Sequence, residues 1–143
     1  MSRRRDRLVP GQPSTIVLDS YVSSTDGPTI HIDVHSLSRL NELEATMRDL
    51  ASGKLQRVAL SQFEDTHWVP PLREIVLSLS TGEANVVNEQ RGEQLVCTWM
   101  ESAEGWLESA EKVAHMGECG MPCHQYFEGR HHDTVTVELA YLE

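Results

Sequence analysis

Short segments that alternate apolar and polar side chains recur along this chain, and they constrain its fold more than any other feature. Such alternation is typical of β-strands that bury one face, and clusters of turn residues separate the segments. Seven segments are predicted as strands: 15–22, 29–35, 54–61, 72–80, 93–100, 124–128 and 134–142. The first two flank the turn cluster 23–28 and should form a hairpin. The chain is therefore expected to fold mainly as sheet.

Only two segments have the helical period instead. The first lies between Ser36, a plausible N-cap, and Gly53, a helix stop. Its apolar residues are Leu37, Leu40, Leu43, Met47 and Leu50. The second covers 102–116 and should end at Gly117, with Trp99 and Trp106 on its apolar side. The sequence predicts an α+β fold: a mostly antiparallel sheet of about six or seven strands with two amphipathic helices packed on one face.

The bulk composition indicates one cytoplasmic domain. The 143 residues fit a single domain, which we place at 14–143, after a basic and disordered arm at 1–13. No apolar run approaches the length of a membrane span, and the basic N-terminus is not followed by the apolar stretch of a secretory signal. Three cysteines are an odd number, which favours free thiols in a reducing compartment.

The charge of the chain indicates the kind of partner it attracts. The net formal charge is −10, and because residues 1–10 contribute +3, the remainder carries −13. A surface of this sign repels nucleic acid and anionic lipid and attracts basic proteins. We therefore expect no nucleic acid bound by the folded domain, no membrane partner, and a basic protein as partner. A free sheet edge leaves a homo-oligomer open.

Cysteine and histidine, the ligands that zinc prefers, concentrate near the end of the second helix. The candidate ligands are His115, Cys119, Cys123 and His124, and His131 and His132 follow closely. However, Cys-x3-Cys-His is not a usual zinc spacing, and Cys97 would have to come from a distant strand. The favoured interpretation is a helix end followed by a loop, with no cofactor. A zinc-binding domain or metal-assisted enzyme built on this cluster remains the alternative.

A second polar group, His31, Asp33 and His35, lies on one face of the second predicted strand, opposite Ile30, Ile32 and Val34. Two imidazoles and a carboxylate suit a divalent metal or acid–base chemistry, but a half-exposed strand requires the same alternation. The chain has no nucleophile elbow, phosphate-binding loop, dinucleotide fingerprint or His-Glu-x-x-His motif. The sequence therefore favours a binding protein over an enzyme.

Four glutamates spaced three, four and three residues apart indicate a docking surface. Glu101, Glu104, Glu108 and Glu111 should lie along one face of the second helix, opposite its tryptophans. A solvated outer face explains this pattern equally, whereas complementary charge would speed and select a basic partner. Trp68, in an irregular connection at 62–71, fits no strand or helix face. Two interpretations stay open: an aromatic anchor of the same surface, or a side chain folded back as a lid over the core.

The C-terminal third resembles small bacterial immunity proteins of polymorphic toxin systems. The resemblance rests on the segment Cys97-Thr98-Trp99-Met100-Glu101-Ser102-Ala103-Glu104-Gly105-Trp106, on His124-Gln125-Tyr126-Phe127-Glu128, and on the closing segment 135–143. It implies an acidic, cytosolic, non-enzymatic protein that binds a cognate basic toxin and blocks it by occlusion. The family provides no defined motif residue to assign here.

Overall fold

The computed structural model describes residues 16–23, 27–82, 84–128 and 135–142; the predicted arm at 1–13 lies outside them. Within these residues the helices are α1 (Leu37–Ala51) and α2 (Ala103–Cys119), and a short 3-10 helix spans Leu60–Gln62. The strands are β1 (Ile16–Ser23), β2 (Gly27–Val34), β3 (Arg57–Ala59), β4 (Thr66–Trp68), β5 (Leu72–Leu79), β6 (Asn85–Arg91), β7 (Gln94–Glu101), β8 (Cys123–Glu128) and β9 (Thr136–Tyr141). The predicted α+β class is confirmed.

The strands form two mixed sheets, where the sequence suggested one mostly antiparallel sheet. The five-stranded sheet has the order β4-β1-β2-β9-β8 and the four-stranded sheet the order β3-β5-β7-β6. The predicted hairpin is confirmed as the antiparallel pair β1–β2. Parallel pairs join β1 to β4, β2 to β9 and β5 to β7. Parallel pairing requires long connections, and local alternation does not reveal which distant strands those connections bring together.

Each helix carries the chain from one sheet to the other, so the helices and both sheets share one core. Helix α1 leads from β2 to β3, and α2 leads from β7 to β8. The apolar side chains predicted for β2, which are Ile30, Ile32 and Val34, are all fully buried. Four predicted apolar residues of α1 are buried in the same cluster: Leu40, Leu43, Met47 and Leu50. Burial of this kind stabilises a fold by roughly 1.5–3 kcal/mol per large side chain.

The tryptophans join the first turn of α2 to both sheets. The ring of Trp99 on β7 lies 4.9 Å from that of Trp106 on α2 and 5.1 Å from that of Phe127 on β8, between centroids. The indole Nε1 of Trp106 donates a hydrogen bond of 3.0 Å to the carbonyl of Ser78 on β5. Because both indoles are fully buried, the start of α2 is held firmly against the four-stranded sheet.

The helix ends follow the sequence signals at three of four positions. Ser36 Oγ accepts a hydrogen bond from the backbone N–H of Arg39 and caps α1, as predicted. Helix α2, however, continues through Gly117 to Cys119 and ends at Gly120, whose φ is +66°. The predicted stop at Gly117 was wrong because this glycine packs against α1: an added Cβ would lie 3.2 Å from Cδ1 of Leu37.

Two strands lie in regions predicted to be irregular. Strand β6 falls within the predicted turn 81–92, and β4 within the predicted connection 62–71. β6 is an edge strand with one buried apolar side chain, Val86, so it lacks a clear apolar alternation. Of the predicted strand 54–61, only Arg57–Ala59 forms a strand, which is β3. In the described part of the chain, neither helix is long and apolar enough to cross a membrane.

Candidate functional site

An acidic groove lies where β7 passes into α2. Its volume is about 300 Å³, and three carboxylates line it, those of Glu101, Glu104 and Glu108. The other lining residues are small: Gly82, Ala84, Ser102 and Gly105. Gly82 and Ala84 belong to the connection between β5 and β6. The lining therefore offers negative charge and little steric hindrance to an approaching side chain.

Glu101 is the last residue of β7 and not part of the helix, which corrects the predicted single helical stripe. Its Oε2 accepts a hydrogen bond of 3.0 Å from the indole Nε1 of Trp99. The carboxylate also lies directly over Gly105, because a Cβ there would come within 2.4 Å of Glu101 Oε1. The Glu101 carboxylate is thus held in place by a buried tryptophan and a glycine.

The other three glutamates project from α2 and are exposed: Glu104, Glu108 and Glu111. Among the described residues, no basic side chain forms an ion pair with any of these three. Glu104 gains from its place in the first helical turn. Glu108 lies four residues after Glu104 and three before Glu111, spacings at which like charges destabilise a helix by a few tenths of a kcal/mol. The carboxylates of Glu101, Glu104, Glu108 and Glu111 are called the acidic surface below.

Trp68 belongs to β4, where it is partly buried against the core. It lines a second groove, of about 550 Å³, beside the cis-bonded Pro70 and Pro71 and the first residue of β5, Leu72. The acidic surface begins at the opposite end of β5, because Leu79 pairs with Glu101. Seven residue steps along a strand span about 23 Å. The structure therefore separates Trp68 from the glutamates that the sequence grouped with it.

The predicted zinc ligands do not converge on one point. His115 and Cys119 are exposed on α2, and the ring of His124 packs against Tyr126 at 5.3 Å between centroids. Cys123 is turned toward the core, and because successive strand residues point to opposite faces, His124 points away from it. The described residues contain no group of three or more His, Cys, Asp or Glu that could hold a metal ion. His131 and His132 lie outside those residues.

The predicted group separates into two parts. His31 and Asp33 lie on β2, on the sheet face opposite Ile30, Ile32 and Val34, whereas His35 directly follows the strand. His35 Nε2 lies 3.2 Å from Asp33 Oδ2, and both side chains are more than nine-tenths buried. His31 instead faces Glu138 of β9, with 4.0 Å between Nε2 and Oε1. Since Asp33 is only 4% exposed, β2 is not the half-exposed strand that its alternation suggested.

The partners of His31 were not identified from the sequence. The hydroxyl of Tyr21 on β1 donates a hydrogen bond to Glu138 Oε1, and strand register places Asp19, His31, Glu138 and Tyr126 side by side across four strands. Glu138 is 9% exposed, which is unusual for a carboxylate. In the sequence, the one local sign of this buried carboxylate is the position of Glu138 between the apolar Val137 and Leu139. The sequence does not show which strands lie beside it.

The third cysteine, Cys97, is completely buried. It lies in the core on β7 with no solvent-accessible surface, and burial raises the pKa of its thiol to about 12. Since the thiolate is the reactive and metal-binding form, Cys97 is a packing residue at neutral pH.

The three predicted constellations thus occupy different parts of the molecule, and three of the four glutamates of the acidic surface line a groove. Comparison with protein-family models, with curated protein sequences and with solved structures found no match to this chain.

Proposed function

We propose that the chain is a non-enzymatic binding domain that docks a basic protein on its acidic surface. The observation that supports this most directly is the groove at the start of α2, where three carboxylates line about 300 Å³ and none of the lining residues is basic. A lysine or arginine side chain of a partner would enter this groove and replace water with charge-assisted hydrogen bonds.

The energetics of the helix favour a functional origin for the charge. The exposed Glu104, Glu108 and Glu111 form no ion pair among the described residues, and Lys112, four residues after Glu108, is directed to the Phe127 ring instead. Their mutual repulsion therefore weakens α2 slightly. A partner with positive charge removes that repulsion when it binds, so part of the binding energy comes from relieving a cost of the free state. Charge of this kind mainly raises the association rate and selects the partner.

The resemblance to immunity proteins supports a more specific proposal. The partner would be a basic toxin domain, and the chain would neutralise it by covering its active face rather than by any reaction. Trp68 borders a separate groove about 23 Å away along β5. We therefore assign the primary contact to the acidic surface and treat Trp68 as a contact only for a partner that reaches the other end of that sheet.

The experiment is a growth-rescue assay with the protein encoded beside this chain as the candidate toxin. The toxin domain expressed alone should stop growth, and co-expression of this chain should restore it. The triple variant E104Q/E108Q/E111Q should reduce the association rate with the purified toxin domain by about tenfold or more at low salt. Stopped-flow or surface-binding kinetics would measure that rate.

A matched control removes the same amount of charge elsewhere. The variant E64Q/E89Q/E118Q replaces three exposed glutamates on the loop before β4, on β6 and at the far end of α2. Its association rate should stay close to that of the unmodified chain. Equal losses in both triple variants would mean that only total charge matters, and the acidic surface would not be the docking site. Failure to bind any neighbouring gene product would refute the immunity assignment itself.

A further inference from the structure

Two cysteines border the turn that follows α2, at the end opposite the acidic surface. Cys119 is the last residue of the helix and is exposed, and Cys123 is the first residue of β8 and is partly buried. Gly120, with its left-handed φ of +66°, reverses the chain between them. Cys119 lies eight residues after Glu111, the last glutamate of the acidic surface, or about 12 Å along the helix axis. The inference that follows does not depend on the proposed function.

Both thiols lie at the last turn of the helix. Cys123 Sγ is 3.8 Å from the carbonyl oxygen of Met116. Met116 precedes Cys119 by three residues, and residues three apart lie on the same side of a helix, one above the other. The carbonyl that Cys123 contacts therefore lies beside the side chain of Cys119. We propose that Cys119 and Cys123 form a dithiol that a low-molecular-weight disulfide, such as oxidised glutathione, converts reversibly into an intramolecular disulfide.

The exchange proceeds in two balanced steps. The exposed Cys119, as thiolate, attacks one sulfur of oxidised glutathione, forms a mixed disulfide and releases one glutathione. Cys123 then attacks the Cys119 sulfur of that mixed disulfide and releases the second glutathione. The protein loses two electrons and two protons, and one oxidised glutathione becomes two reduced molecules. Cys123 follows Cys119 by four residues, so its thiol has an effective concentration on the order of millimolar or higher. The second step should therefore be faster than the first, and the glutathione adduct should not accumulate.

The remaining cysteine serves as an internal reference. Cys97 has no exposed surface and lies on β7 within the core. It should stay reduced in the folded chain under conditions that oxidise the other two. The fold thus selects one of the three pairs that three cysteines allow.

The test is incubation of the full folded chain with oxidised glutathione, followed by intact-mass measurement and peptide mapping. The unmodified chain should lose two hydrogens and carry a bond between Cys119 and Cys123, and added dithiothreitol should restore the original mass. The variant C123S should instead accumulate a glutathione adduct on Cys119. C97S should behave like the unmodified chain.

Several results would overturn the proposal. A stable adduct on Cys119 of the unmodified chain would show that Cys123 cannot reach it. Absence of reaction, or a disulfide between two chains, would show that the turn does not hold the thiols together. Reaction of C119S at the rate of the unmodified chain would show that Cys119 is not the first thiol attacked.

Discussion

Cys97 illustrates what complete burial does to a single ionisable side chain. Its thiol lies among the apolar residues of the core, and desolvation raises its pKa from 9.0 to about 12. In the unfolded chain the same thiol loses its proton near pH 9, whereas the folded chain keeps the proton to much higher pH. The free energy of unfolding should therefore be unaffected by this group below pH 9 and should decrease as the pH rises from 9 toward 12.

This linkage predicts a difference between the unmodified chain and C97A. Between pH 8 and pH 10 the unmodified chain should lose about 1 kcal/mol more of its free energy of unfolding than C97A loses. Urea denaturation at the two pH values measures this, and the comparison cancels the titration of tyrosines and lysines. C97A should be less stable overall because it loses buried volume. Equal losses in the two proteins would show that Cys97 ionises as readily folded as unfolded.

His31 on β2 and His35 directly after it give a second prediction at the residue scale. His35 is paired with Asp33 at 3.2 Å with both side chains buried, whereas the side chain of His31 is 25% exposed and its carboxylate partner is 4.0 Å away. H35A removes a buried polar side chain that lies beside Asp33, so it should lower the free energy of unfolding by about 1–3 kcal/mol. H31A should lower it by less than about 1 kcal/mol. Chemical denaturation would distinguish them, and equal effects would contradict the assignment.

At the scale of elements, the start of α2 depends on a close contact that propensity rules do not anticipate. Replacing glycine with alanine inside a helix normally stabilises it by about 1 kcal/mol. Here the added Cβ would lie 2.4 Å from Glu101 Oε1, so the carboxylate must move and Trp99 Nε1 would lose its acceptor. An unsatisfied buried N–H costs about 1–3 kcal/mol. The free energy of unfolding of G105A should therefore be equal to or lower than that of the unmodified chain.

A double-mutant cycle tests this explanation. In an E101A background the carboxylate is absent and Trp99 has already lost its acceptor, so adding G105A should raise the free energy of unfolding by about 0.5–1 kcal/mol. The sign of the glycine substitution should thus depend on the residue at position 101. If G105A has the same effect in both backgrounds, the contact between Glu101 and Gly105 has no energetic consequence.

The elements that could be predicted were those with strong local patterns. β2 and α1 carry an uninterrupted apolar period, and Ser36 caps α1 as expected. β6 was not predicted because an edge strand with one buried side chain needs no apolar alternation. β4 was not predicted because three residues are too few to show an alternating pattern. The helix end predicted at Gly117 was wrong because this glycine packs against Leu37 and does not terminate the helix.

The candidate site was only partly predictable for a related reason. Glutamates at helical spacing were visible in the sequence, but Glu101 precedes the helix, and its distance from Trp68 depends on strand pairing. Likewise, Tyr21 and Glu138 meet only because β1 pairs with β2 and β2 with β9. Contacts between distant segments are set by the packing of the whole core, and no local pattern encodes them.

At the scale of the whole molecule, the excess of acidic side chains should make stability depend on salt. The chain has 22 acidic and 12 basic residues. The ion pair of Arg91 with Glu89 is exposed, and that of Arg48 with Glu44 is partly exposed. Exposed pairs contribute little, so repulsion should dominate.

Raising NaCl from 10 to 150 mM shortens the screening length from about 30 to about 8 Å. The melting temperature should rise by about 2–4 °C, and by less in E104Q/E108Q/E111Q, because that variant has less repulsion to screen. Scanning calorimetry with NaCl and KCl in parallel separates screening from specific ion binding. A melting temperature that falls with salt would mean that attractive pairs, among them those of Arg39 with Glu42 and Asp65, outweigh the net negative charge.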